Sequence, residues 1–81
     1  MFTKNNIYSK IKFFLIYKFN IDKKKIKKKY NFNKNFGEDS IDILEFIILL
    51  EKEFNINIDY NNDNVKLNTI EDYINYIYKK I

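Results

Sequence analysis

Apolar residues recur every three or four positions in three stretches of the chain, and that spacing predicts helices. In the first, residues 3–19, Ile7, Ile11, Phe14 and Lys18 recur at helical spacing with Leu15 beside them. Thr3 suits the N-cap, because its hydroxyl accepts a backbone N–H that the first turn leaves without a partner. In the second stretch, residues 40–54, Ile41, Leu44 and Ile48 join Ile43, Ile47, Leu50 and Phe54 to predict a broad apolar face. Asp39 and Ser40 are both capping types, and Gly37 breaks the chain just before them. A last helix over residues 69–79 buries Ile70, Tyr73, Ile74 and Ile77. Thr69 is its cap, and Glu71 and Asp72 stand in its first turn, where the helix dipole favours acids. A short helix is expected over residues 63–67. Ile and Tyr are strand formers too, but the period here is three and four rather than two. The expected class is therefore all-α: a four-helix bundle with a short third helix and a long loop after the first.

The chain has 81 residues, enough for one domain, 1–81, with one modest core. It has no Cys and no His, which excludes disulfides, zinc sites of the usual kind and a Ser-His-Asp triad. A Ser with no base nearby is a poor nucleophile, so the chain is expected not to be an enzyme, and no metal site is expected. No apolar run approaches the ~18 residues of a membrane span, and no membrane insertion is expected. The residues after Met1 lack the apolar core of a secretory signal. A cytoplasmic location follows as the expectation, or an organelle lumen if a leader has been removed.

Charge sharpens this picture. Residues 1–36 hold eleven Lys and one acid, a net of +10; residues 37–64 hold eight acids and one Lys, a net of −7; the whole chain is +4. Ile, Lys, Asn, Phe and Tyr make up most of the chain, and every basic residue is Lys. The codons of these five residues draw largely on A and T, as in the genome of an AT-rich bacterial symbiont. Against that drift toward Lys, the acidic middle calls for a specific reason. The run over residues 23–29, six Lys around Ile26, has two readings. It is a solvated loop with Ile26 tucked into the core, or a phosphate-binding patch of a small basic nucleic-acid-binding module. It lacks Arg and the spacing of a recognised nucleic-acid module, and the solvated loop is the favoured reading.

The stretch Gly37-Glu38-Asp39-Ser40-Ile41-Asp42, then Ile43-Leu44-Glu45-Phe46 and Leu50-Glu51-Lys52-Glu53-Phe54, carries the chemistry. Here the chain resembles the acyl carrier protein family, whose second helix opens on an Asp-Ser-Leu motif with an acid two residues on. Ile26, Phe32, Phe36 and Gly37 resemble the family's loop anchors, and residues 69–77 resemble its last helix. The resemblance implies a four-helix bundle of the acyl carrier type. It implies that Ser40 bears a 4'-phosphopantetheine arm, moved from coenzyme A by a phosphopantetheinyl transferase. Growing fatty acyl chains would then ride as thioesters in fatty acid biosynthesis. A carrier for an aminoacyl or polyketide unit is the alternative cargo reading. Residues expected to be read by partner enzymes with basic docking patches are Asp39, Asp42, Glu45, Ile48 and Glu51. Those expected to shelter the acyl chain are Phe32, Leu44, Ile48, Leu50, Ile58, Leu67 and Ile70. A monomer without nucleic acid is expected.

The physics suits a carrier. A loop–helix junction exposes a Ser without unwinding the core, and the N–H groups of a helix N-terminus receive a phosphodiester. The thiol comes with the arm, so a chain without Cys loses nothing. The chain also departs from the family. It is basic overall, Lys52 stands where an acid is usual, the Pro after the second helix is absent, and Tyr73 occupies a place where small residues are common and narrows the expected cavity.

Overall fold

The computed structural model describes residues 2–32, 41–59 and 66–81, with the side chains of Ile41 and Asp42 excepted. The first helix, α1 (Lys4–Tyr17), starts where the capping argument puts it. Thr3 Oγ1 accepts the Asn6 N–H at 3.1 Å, and Asn6 Oδ1 accepts the Thr3 N–H at 3.0 Å. This is a capping box with Asn in the place usually held by Glu or Gln. Ile7, Ile11, Phe14 and Leu15 are buried. The helix stops two residues before the expected Phe19. Asn20 takes a left-handed φ of 56°, and Ile21 turns its N–H back to the Leu15 carbonyl at 3.0 Å.

The described part of the long loop that follows, residues 18–32, is an ordered strap. Asp22 caps a single 3₁₀ turn, Lys23–Lys25, by accepting the Lys24 N–H at 3.0 Å. Ile26 is then driven into the core, 6% exposed, while the six lysines around it stay in solvent. Further on, the strap is tied to the far end of the chain by main-chain hydrogen bonds. Glu71 N–H donates to the Lys28 carbonyl at 2.9 Å, Ile70 N–H to Tyr30 at 3.2 Å, and Phe32 N–H to Asn68 at 2.8 Å. An isolated antiparallel bridge, Asn31 to Thr69, sits among them; no strand occurs among the described residues.

The second helix, α2 (Ile41–Phe54), ends at Asn55, whose φ of 54° lets Ile56 N–H reach the Glu51 carbonyl at 3.2 Å. That left-handed stop satisfies a carbonyl of the last turn, the task glycine usually performs. The third, α3 (Ile70–Lys80), opens with a second capping box. Thr69 Oγ1 accepts the Asp72 N–H at 3.2 Å, and Asp72 Oδ2 accepts the N–H groups of Thr69 and Asn68, both at 3.0 Å. The short helix expected over residues 63–67 falls mostly outside the described residues; Lys66 and Leu67 are irregular.

One apolar cluster joins these elements. Its centre is aromatic. Phe32 stacks on Phe46 at 4.9 Å between ring centroids, and Tyr73 meets both edge-on, at 5.0 and 5.3 Å. Such pairs add ~0.5–1.5 kcal/mol each beyond the area they bury. The broad face expected for α2 is narrower than the sequence suggested. Phe46, Ile47, Leu50 and Phe54 are buried, while Leu44 and Ile48 are exposed. The reason is geometric: Leu44 and Ile48 each stand two residues from Phe46, and at 3.6 residues per turn they lie on about the opposite side of the helix.

Candidate functional site

The site is built on the outer face of α2. Ser40 lies outside the described residues, as do Glu38 and Asp39, but Ser40 directly precedes Ile41, the first residue of α2. The opening N–H groups of a helix have no partner within it. Asp42 is in the first turn, with its side chain outside the description. One to two turns on, Leu44, Glu45 and Ile48 are all exposed, Leu44 to 59% and Ile48 to 48%. A shallow groove of about 270 Å³ runs beside them, lined by Lys18, Phe19, Glu45, Ile48 and Leu49. The C-terminal end of α1 thus forms one wall and α2 the other. Lys18 continues the helical period of Ile7, Ile11 and Phe14, but that period does not mark it or Phe19 as a wall of this groove.

Glu51 differs from Glu45, the other acid of the expected recognition set whose side chain is described. It is half-buried, and its Oε2 accepts the Ile58 N–H at 2.9 Å, which folds the segment after α2 back against the helix. Tyr76 Oη accepts the Asp59 N–H at 3.0 Å and holds the same segment to α3. One of the Glu51 oxygens therefore serves the fold. Glu53, a turn from the groove, pairs with Lys10 of α1 at 3.7 Å.

The residues expected around an acyl chain divide in two. Phe32, Leu50, Ile58 and Ile70 come together in the core, with Leu67 packed against it. Leu44 and Ile48 face solvent instead. The ring of Phe46, absent from the sequence-based set, stands at the middle of the buried group with Tyr73 against it. Its alternation with Leu50 at i+4 was the available signal.

Comparison with known proteins follows this geometry. A protein of Bdellovibrio bacteriovorus named acyl carrier protein is 34% identical over 74 residues, covering 91% of this chain and 94% of the relative. One of the same name from Karelsulcia muelleri is 42% identical over 77 residues, covering 93% and 89%. The chain belongs to the acyl carrier protein family. A third acyl carrier protein, from Chlorobium phaeobacteroides, is 35% identical over 78 residues and covers 96% of this chain and 99% of its own length. No family profile matches the chain. As a family member the chain is a carrier, not an enzyme, and the all-helical architecture with its loop after α1 is that of an acyl carrier. No described helix is long and apolar enough to cross a membrane.

Proposed function

We propose that the 81 residues act as a single carrier domain in fatty acid biosynthesis, with acyl chains held as thioesters on a 4'-phosphopantetheine arm at Ser40. The observation that carries this reading is the position of Ser40, directly ahead of α2 and at the head of a helix whose outer face shows Leu44, Glu45 and Ile48 to solvent. A phosphodiester there meets the free N–H groups of the helix start, and the arm supplies the thiol that the chain lacks. In the active site of a phosphopantetheinyl transferase, which takes its proton, the Ser40 hydroxyl attacks the pantetheine-bearing phosphorus of the coenzyme A pyrophosphate; the new Ser O–P bond replaces the broken P–O bond, and 3',5'-ADP leaves.

The exposed acid–apolar face of α2 is the surface that partner enzymes read, through Glu45 and Ile48 with Asp39 and Asp42 nearer the arm. Opposite charge on an enzyme steers the encounter and sets its orientation more than it adds affinity, which suits a carrier that must leave quickly. The carrier works as a cytoplasmic monomer. Phe32, Leu50, Ile58, Leu67 and Ile70 shelter the acyl chain.

Intact mass after incubation with coenzyme A, magnesium and a promiscuous phosphopantetheinyl transferase tests this. The wild-type chain gains the mass of one arm. Ser40→Ala gains none and keeps its helical circular dichroism, since a lost cap costs only ~1 kcal/mol. A Ser40→Ala chain that still gains the arm would overturn the assignment.

A further inference from the structure

The strap after α1 holds six lysines that the carrier reading does not use. All six, at residues 23–25 and 27–29, are exposed, and none forms an ion pair among the described residues. The buried Ile26 between the two triplets fixes their position on the surface. The Asp22 cap and the hydrogen bonds from Ile70 and Glu71 to the carbonyls of Tyr30 and Lys28 hold the backbone on either side. The charge is therefore preorganised, and ordering it on a partner costs little chain entropy. The patch also extends across neighbouring elements. Lys28 and Lys12 both lie over the Tyr8 ring, at 5.9 and 5.2 Å, and Lys4 shares a cleft with Lys28. Two acids close by are placed among the described residues. Asp22 is engaged with the Lys24 N–H, and Glu71 lines the cleft with Lys4 and Lys28.

We propose that this lysine patch is a second docking surface, which seats the protein on an anionic lipid bilayer. It shares no residue with the groove at Glu45 and Ile48, so α2 stays free while the patch is engaged. Three observations favour a bilayer over nucleic acid. The cations are all Lys, compact point charges without the planar fork that reads base edges. The lysines ride on a 3₁₀ turn and a second tight turn, so they splay outward, whereas a nucleic-acid strand calls for a basic groove that tracks its backbone. The aromatic ring within the patch, Tyr8, already has two ammonium groups over it, at 5.2 and 5.9 Å, which compete with a base for that ring. A splayed patch of lysines is matched by the negative surface of an anionic leaflet, where each Lys contributes about fivefold to binding. The contact is peripheral and electrostatic, with no insertion.

The test is co-sedimentation with vesicles, using the protein without its arm so that the outcome is independent of Ser40. Vesicles of equal parts phosphatidylglycerol and phosphatidylcholine are compared with phosphatidylcholine alone. The protein is expected to bind the first and not the second, and to be released as salt rises. Lys24→Gln/Lys25→Gln/Lys28→Gln should weaken binding by about a hundredfold. Lys18→Gln/Lys52→Gln/Lys79→Gln, which has the same net charge, should bind within a few-fold of wild type. Equal loss in both triple variants would mean that net charge acts without a patch, and would overturn the proposal. So would binding to neutral vesicles, no binding to anionic ones, or a single-stranded RNA or DNA duplex that displaces the protein from anionic vesicles at equal phosphate concentration. Circular dichroism of both variants confirms that the bundle is intact.

Discussion

The helices α2 and α3 are close in length and differ in how they dispose of their apolar residues. In α3 the aliphatic residues are all on one side: Ile70, Ile74 and Ile77 are buried with Tyr73 and Tyr76, while Glu71, Asn75, Lys79 and Lys80 are exposed with one aromatic, Tyr78. In α2 apolar residues stand on both sides, with Phe46 and Leu50 fully buried and Leu44 and Ile48 in solvent beside Glu45. A helix that serves only the core gains nothing by showing Leu and Ile to water, since each exposed side chain forgoes ~1.5–3 kcal/mol of burial. The contrast fits the proposal that α3 holds the bundle and the outer half of α2 meets other molecules.

Substitutions can break or sharpen this contrast. The largest effect is expected at Phe46. Phe46→Ala removes a ring stacked on Phe32 and packed by Tyr73, and should cost ~3–5 kcal/mol in urea denaturation. That is a large share of the stability of a domain this small. A loss below ~1 kcal/mol would mean that the inner face of α2 is no more committed to the core than its outer face.

The α3 side can be probed through pH. Burial pushes the Tyr30 phenol above its ordinary value of 10.0, and the Tyr30 carbonyl accepts the first N–H of α3. Above about pH 10 the unfolded chain releases this proton before the folded one does. The folded state then binds more protons, so stability is complete below pH 10 and declines as pH rises toward the folded value. Tyr30→Phe keeps the ring and removes the titration. The difference in stability between the two proteins should be flat below pH 10 and move in favour of Phe above it. A difference that stays constant through that range would show that the phenol is not shielded.

The smallest stability effect is expected on the outer face. Leu44→Ala and Ile48→Ala should each shift stability by less than ~0.5 kcal/mol, yet slow transferase loading by roughly fivefold, equivalent to ~1 kcal/mol at a docking hot spot. Loading rate and denaturation midpoint measured on the same samples decide the matter. If stability falls and loading does not change, α2 has the same one-sided role as α3.

Much of the bundle was legible in the chain. Thr3 and Thr69 marked two helix starts because a hydroxyl before an apolar period has a definite local partner. Ile26 stood out as an anchor because it is an apolar residue set among lysines, and it is buried. The tie between the strap and α3 was not legible, because main-chain hydrogen bonds such as Phe32 to Asn68 leave no mark on side-chain pattern. Nor was the outward turn of Leu44 and Ile48, since apolarity on both sides of a helix does not say which side is covered. For the site, the motif at residues 37–42 drew attention to Ser40 where periodicity alone would have left it an ordinary cap. The groove wall of Lys18 and Phe19 depends on where α1 stops, which is set by the backbone of Asn20 rather than by any repeat.

That stop, and its counterpart at Asn55, has a consequence for how this fold can change over generations. Both sites hold a left-handed backbone, at φ of 56° and 54°, and both are filled by Asn in a chain with a single Gly. Asn enters this conformation more readily than other residues with a β-carbon because its short amide can hydrogen-bond locally. Glycine codons begin with two G bases, whereas asparagine codons begin with two A bases. A gene losing G and C can therefore exchange one helix stop for the other, and the turns persist through a change of alphabet that removes the residue usually taken to mark them.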